Sequence, residues 1–213
     1  MFNFGGMLTG SEIERQIKKG NIKITPYDPG CINPNSYNLK LHPQLKIYER
    51  GSHNGREDSI HYAHDGIIRE CSFLESAQLD PIDMNKDNET IEITIPEEGY
   101  VLMPGVLYIG RTVERTASSK FIPMLNGRSS GGRLGISVHV CAGFGDIGFD
   151  GTWTLEITVV EPVIVYPNVE IAQVCYFKPY GRSDRLYNGR YQCQVEATPS
   201  RFFKPKFITE KKV

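Results

Sequence analysis

The chain is punctuated into many short β-type runs, and that pattern constrains its fold more than any other feature. Residues 38–41, 44–48, 89–95, 100–103, 107–112, 136–141, 152–160, 163–166 and 173–177 read as strands, mostly bounded by Gly, Pro or Asn. Many short strands at such spacing build a sandwich, jelly roll or barrel rather than βαβ units. One helix precedes them. Thr9 and Glu12 make a capping box, Ile13 and Ile17 form an i,i+4 apolar stripe, Lys18 and Lys19 suit the C-terminal end, and Gly20 fits the C′ position. The expected fold is mainly β with a short N-terminal helix. Residues 115–121 read as a second short helix or as a loop, and 97–99 and 104–105 as turns. The polar stretch 51–65, with His61 and His64, reads as an exposed loop. At 213 residues the chain suits a single domain, 1–213, with a tail at 202–213 that either docks on a neighbour or frays.

Composition removes several function classes. A formal net charge of −1 provides no bulk electrostatic basis for coating nucleic acid or for a polybasic membrane anchor. No apolar run reaches the roughly 18 residues that span a bilayer. Residues 1–6 lack the charged and apolar regions of a signal peptide. Cys31, Cys71, Cys141, Cys175 and Cys193 are odd in number, scattered, and without a Cys-x-x-Cys pair, which suits free thiols in a reducing cytoplasm. Zinc-dependent deaminases carry His-x-Glu followed by Pro-Cys-x-x-Cys, and this sequence has neither. It also lacks the phosphate-binding G-x-x-x-x-G-K-[ST] loop.

Residues 127–135, Gly-Arg-Ser-Ser-Gly-Gly-Arg-Leu-Gly, concentrate hydrogen-bond donors. Arg128 and Arg133 are two guanidiniums five residues apart, Ser129 and Ser130 add hydroxyls, and Gly131 and Gly132 let the backbone approach a ligand closely. An anion is the natural guest. Taken alone, the stretch also reads as a polar hairpin whose arginines pair with surface acids. In 152–159, period-2 alternation sets Trp153, Leu155, Ile157 and Val159 against Thr152, Thr154, Glu156 and Thr158. A turn at 148–151 would bring the chain back from Asp146, so that Glu156 shares a pocket with the Arg/Ser stretch.

The whole run from Gly127 to Glu156, GRSSGGRLGISVHVCAGFGDIGFDGTWTLE, resembles the dCTP deaminase family, part of the superfamily that includes the trimeric dUTPases. INPNSYNLKL at 32–41, YP at 166–167, IAQ at 171–173, PYG at 179–181, GRYQCQ at 189–194 and PSR at 199–201 resemble further family elements, so the likeness spans most of the chain. It implies a distorted jelly-roll, dUTPase-like β-barrel that deaminates dCTP hydrolytically without zinc. It implies Glu156 as the proton-transfer residue, with Ser129, the Ala142 carbonyl and Arg133 holding and polarising the attacking water. Arg128, Ser130, Gln173, Tyr180, Arg190 and Gln194 are the implied triphosphate ligands. Gly131, Gly132 and Thr154 are further substrate contacts, and Asp146 is the partner of the deoxyribose 3′-hydroxyl. Mg²⁺ arrives with the triphosphate, held mainly by phosphate oxygens and water, with few protein ligands. The resemblance also implies dUTP and dTTP as ligands, and a cytoplasmic homotrimer with sites between subunits and no nucleic-acid or membrane partner.

Ala142-Gly143-Phe144 ahead of Asp146 resembles the bifunctional members, which carry dCTP through to dUMP and diphosphate. Gly143 is expected to leave room for a second water that Asp146 positions. The alternatives are a deaminase that releases dUTP, a dUTPase, and a non-enzymatic jelly roll that binds dNTP. Thr154-Leu155-Glu156 and Arg133 favour deamination over the dUTPase. The chain departs from the family pattern at Arg190, in place of Lys, at Cys141, in place of Thr or Asn, and at Glu196, in place of Gly beside the phosphate lid. Gly131-Gly132 are expected to make the Arg/Ser stretch flexible. Gly145, where Ile or Val is usual, is expected to loosen the segment that holds Asp146.

Overall fold

The computed structural model describes residues 6–50 and 80–204. The expected loop at 51–65, with His61 and His64, and the tail beyond 204 lie outside the described residues. Helix α1 (Gly10–Lys18) starts where the capping signal places it, Thr9 Oγ1 accepting from the Glu12 amide at 3.4 Å. The reciprocal half of the box is replaced: the Glu12 carboxylate takes Arg15 Nε at 2.7 Å instead of reaching back. Gly20 follows the helix at φ 71°, its amide bonded to the Ile17 carbonyl at 2.9 Å, as an αL C′ residue requires.

Eleven strands follow among the described residues: β1 (Ile22–Thr25), β2 (Tyr37–Lys40), β3 (Gln44–Tyr48), β4 (Thr90–Thr94), β5 (Tyr100–Leu102), β6 (Tyr108–Ser118), β7 (Ile122–Gly127), β8 (Ile136–Ser137), β9 (Asp150–Val159), β10 (Val163–Val165) and β11 (Glu170–Phe177). One sheet runs β4-β3-β6-β9-β8, with β1 paired to the far half of β6. A second runs β2-β11-β7, and β10 pairs with β5. Every one of these pairings is antiparallel. The buried faces meet in a core that includes Tyr37, Leu45, Tyr108, Trp153, Leu155, Ile157 and Tyr176. Removing a side chain such as Leu155 from water stabilises the fold by about 2 kcal/mol.

Four local expectations are corrected. Residues 115–118 are neither helix nor loop but the end of β6, paired with β1 on one side and with Asp150–Thr152 on the other. Two long-range ladders override the weak local signal of Arg-Thr-Ala-Ser. The strand expected at 136–141 ends at Ser137. Beyond it, the Val140 amide leaves the ladder and donates to the Glu156 carboxylate at 2.9 Å. The turn lies at 146–149 rather than 148–151: the Phe149 amide reaches the Asp146 carbonyl at 3.2 Å, and Gly148 takes φ 96°. Finally, the Arg/Ser stretch is helix α2 (Ser129–Arg133), with the Gly132 amide bonded to the Arg128 carbonyl at 2.9 Å, so Gly131-Gly132 sit in a hydrogen-bonded turn rather than a flexible loop.

Candidate active site

Strand β9 presents Thr154 and Glu156 to a cavity of about 580 Å³, opposite the apolar residues it packs into the core. The wall is completed by residues 140–142 and 144–146, by Tyr48 of β3, and by a C-terminal segment that includes Tyr187, Tyr191, Gln194 and Ser200. Of the residues singled out in the sequence, Glu156, Ala142, Asp146, Thr154 and Gln194 meet here. The Val140 amide holds one Glu156 oxygen, Oε2, and fixes the direction of the carboxylate. The other oxygen has no partner among the described residues, which suits a group that must exchange protons.

Asp146 stands where this cavity adjoins a second one of about 760 Å³, lined also by Arg185, Arg190 and Tyr187. Its turn is clamped from behind. The Tyr187 amide donates to the Ile147 carbonyl at 2.7 Å, and the Tyr187 ring meets Phe149 edge-on at 5.9 Å. Burial raises the Tyr187 phenol above its ordinary pKa, and the nearby Asp146 charge adds to this, so the hydroxyl stays neutral.

The expected looseness at Gly145 is not found. Its amide donates to the Pro123 carbonyl at 2.8 Å, and the Leu125 amide donates to the Gly143 carbonyl at 2.7 Å, which ties 143–145 to β7. A Cβ on Gly145 would overlap the Trp153 indole, which fills the space a larger residue would take. Gly143 makes no room in the cavity either: a side chain there would point at the Leu125 carbonyl, 2.7 Å away, and at His139. Its role is close backbone approach.

The other expected ligands lie outside the two cavities or have part of their hydrogen bonding engaged within the chain. None of residues 128–133 lines either cavity, and Ser129, Ser130 and Arg133 are exposed. Arg128 pairs with Glu170 at 2.7 Å, and Tyr180 is 94 % exposed. Gln173 is engaged at both ends of its amide, by Ser36 and by the Gly127 carbonyl. Gln194 spends its donors on the Thr152 carbonyl at 2.8 Å and Thr154 Oγ1 at 3.2 Å, so only its buried Oε1 is left to offer. Arg190 Nε donates to the Lys204 carbonyl at 2.6 Å. Glu196 pairs with Lys46 at 3.8 Å. Tyr48, Tyr187 and Glu170 carried no recognisable signal in the sequence, because each acts through a partner distant along the chain.

Around the β8 edge, Leu134, Val140 and Val160 are 60 %, 64 % and 71 % exposed. Gly135, at φ 77°, brings the end of α2 against Val160, where a Cβ would overlap that side chain. Apolar side chains and the donor-rich α2 thus share one uncovered surface.

Residues 7–179 match the family described as dCTP deaminase-like. The chain belongs to that family. Among its members, a "dCTP deaminase, dUMP-forming" of Hathewaya histolytica is 43% identical over 198 residues, covering 93% of this chain and 98% of the relative. The protein of the same name from Clostridium beijerinckii is 46% identical, covering 93% and 97%. A solved 2′-deoxycytidine 5′-triphosphate deaminase from Agrobacterium tumefaciens superposes with a TM-score of 0.54 at 18% identity. That match covers 83% of this chain and 49% of the solved one, and it shows a shared fold. The mainly β, dUTPase-like architecture of the family is the one found here.

The donor set suits the family's triphosphate chemistry. Among the described residues no three His, Cys, Asp or Glu side chains converge as a metal cage. Mg²⁺ carried by a triphosphate keeps several waters and needs few protein ligands; Asp146, which lines the second cavity, could supply one carboxylate.

Proposed function

We propose that this protein hydrolyses dCTP to dUMP, diphosphate and ammonia, consuming two waters, in a homotrimer whose sites are completed across subunits. The observation that carries the reading is Glu156: a carboxylate on a cavity wall, aimed by the Val140 amide, with one oxygen unpaired among the described residues. The relatives' names, along nearly the full length of the chain, support it.

Glu156 takes a proton from the water attacking C4 and gives it to N3, then takes the remaining proton of the C4 hydroxyl and gives it to the departing amine as the C4–N bond breaks. The Ala142 carbonyl, on the same wall, holds the water. Ser129 and Arg133 are exposed on α2 and absent from the cavity of their own chain, so a neighbouring subunit supplies them. Arg133 would help to polarise the attacking water. Asp146, between the two cavities, accepts from the 3′-hydroxyl and directs the second water at the α-phosphorus. Mg²⁺ would neutralise the phosphate oxygens and the leaving diphosphate. Arg128 and Ser130 grip the triphosphate, and Arg190 and Tyr180 close on it with the C-terminal segment.

Incubation with dCTP and Mg²⁺, followed by chromatography that separates dCTP, dUTP and dUMP and by an ammonia assay, tests the proposal. Ammonia and dUMP in equal amounts are expected. Stoichiometric dUTP without dUMP would remove the second step, and unchanged dCTP would remove both.

A further inference from the structure

Residues 33–38 line neither cavity, yet Ser36 and Asn38 are buried polar side chains held by hydrogen bonds. Two hydrogen-bonded arms leave this segment. In the first, Asn38 Nδ2 donates to Glu170 Oε2 at 2.9 Å, and that carboxylate pairs with Arg128 Nη1 at 2.7 Å. The same Nη1 donates to the Glu170 carbonyl at 3.0 Å. Asn33 Nδ2 fixes the Asn38 amide, donating to its Oδ1 at 2.6 Å. In the second arm, Ser36 Oγ donates to Gln173 Oε1 at 2.8 Å, and Gln173 Nε2 donates to the Gly127 carbonyl at 2.9 Å. One arm therefore ends on the Arg128 guanidinium and the other on the peptide just before it. The strands concerned are neighbours, with Gln173 of β11 opposite Asn38 of β2 and Asn126 of β7.

Arg128 uses one nitrogen for both contacts to Glu170. Its Nε–Nη2 edge, the fork that matches two phosphate oxygens, has no partner among the described residues. We infer that Ser36, Asn38, Glu170 and Gln173 are positioning residues that hold Arg128 with this edge presented to the triphosphate. The inference rests on the proposed role of Arg128 as a phosphate ligand, and it gives Gln173 a bracing role. Glu170 also cancels part of the Arg128 charge. Both side chains are 32 % exposed, so solvent weakens that cancellation, whereas ordering a long, flexible arginine before binding is a direct gain.

The test uses the full chain, titrated calorimetrically with inorganic tripolyphosphate and assayed in parallel with dCTP. Glu170→Ala should weaken tripolyphosphate binding about tenfold and raise KM for dCTP similarly, with kcat nearly unchanged. Glu170→Gln keeps an acceptor for Nη1 and should stay within about threefold of the wild type. In an Arg128→Ala background, adding Glu170→Ala should cost nothing more. Tighter binding by Glu170→Ala, equal losses with and without Arg128, or no binding of tripolyphosphate by the wild type would each overturn the inference. A wild type that binds tripolyphosphate but leaves dCTP intact would sink the proposed function, while the titrations still decide the brace.

Discussion

Gly145 and Trp153 are shaped for each other. A Cβ on Gly145 would overlap indole Cη2 and come within 2.9 Å of Pro123 Cγ, while Trp153 Nε1 is anchored to Thr116 Oγ1 at 2.9 Å. Neither partner can yield without disturbing the residue that follows, Asp146. Gly145→Val should therefore destabilise the fold by about 1–3 kcal/mol through overpacking. Trp153→Leu in the same chain should recover part of that loss, although Leu alone leaves a cavity. Urea unfolding of the two single variants and the double variant checks the coupling; strictly additive losses would refute it.

Glu156→Gln keeps the shape of the side chain and an oxygen for the Val140 amide but removes the base. Deamination should fall by at least about a hundredfold, in line with general-base contributions. Binding of dCTP, measured by calorimetry, should survive because no phosphate contact is touched. Normal turnover would reduce Glu156 to a residue of a strand face.

The C-terminal wall of the cavity is held by alternate residues of one strand. Gln44 Oε1 accepts from the Ala197 amide at 3.2 Å, Lys46 pairs with Glu196, and the Tyr48 hydroxyl accepts from the Ser200 amide at 3.0 Å. Tyr48→Phe removes one such bond, worth about 1 kcal/mol. Hydrogen exchange at the Ser200 amide should quicken about fivefold, and KM for dCTP should rise by a similar factor. Unchanged exchange would show that the segment is held elsewhere.

The uncovered surface of Leu134, Val140 and Val160 should be an interface between copies of this chain. Light scattering should return three times the chain mass of 24.0 kDa. Leu134→Asp should shift the protein toward monomer and abolish deamination, since Ser129 and Arg133 would no longer reach a neighbour's cavity. A fully active wild-type monomer would end the trimeric reading.

Much of the site was legible in the residues because it depends on spacing within one segment. Thr9 announced the start of α1, and the alternation along 152–159 placed Glu156 away from the core, where the cavity is found. The resemblance carried by residues 127–156 pointed to the family that the comparisons show. These readings need only the periodicity of a helix or strand, or a motif read in order.

Tertiary structure decided the rest, because the partners lie far apart along the chain. Residues 115–118 became strand only when β1 and β9 flanked them. Gly145 proved tight because an indole eight residues later folds back over it. Asn38 and Glu170 are 132 residues apart, and Ser36 and Gln173 are 137, yet each pair is joined by a hydrogen bond of 2.8–2.9 Å. The sequence by itself determined which local elements form and which side chains can bear charge or exchange protons. Which of them meet, and which are left facing outward, was decided by burial of the apolar strand faces, a force with no direction of its own that brings together whatever polar groups those strands carry.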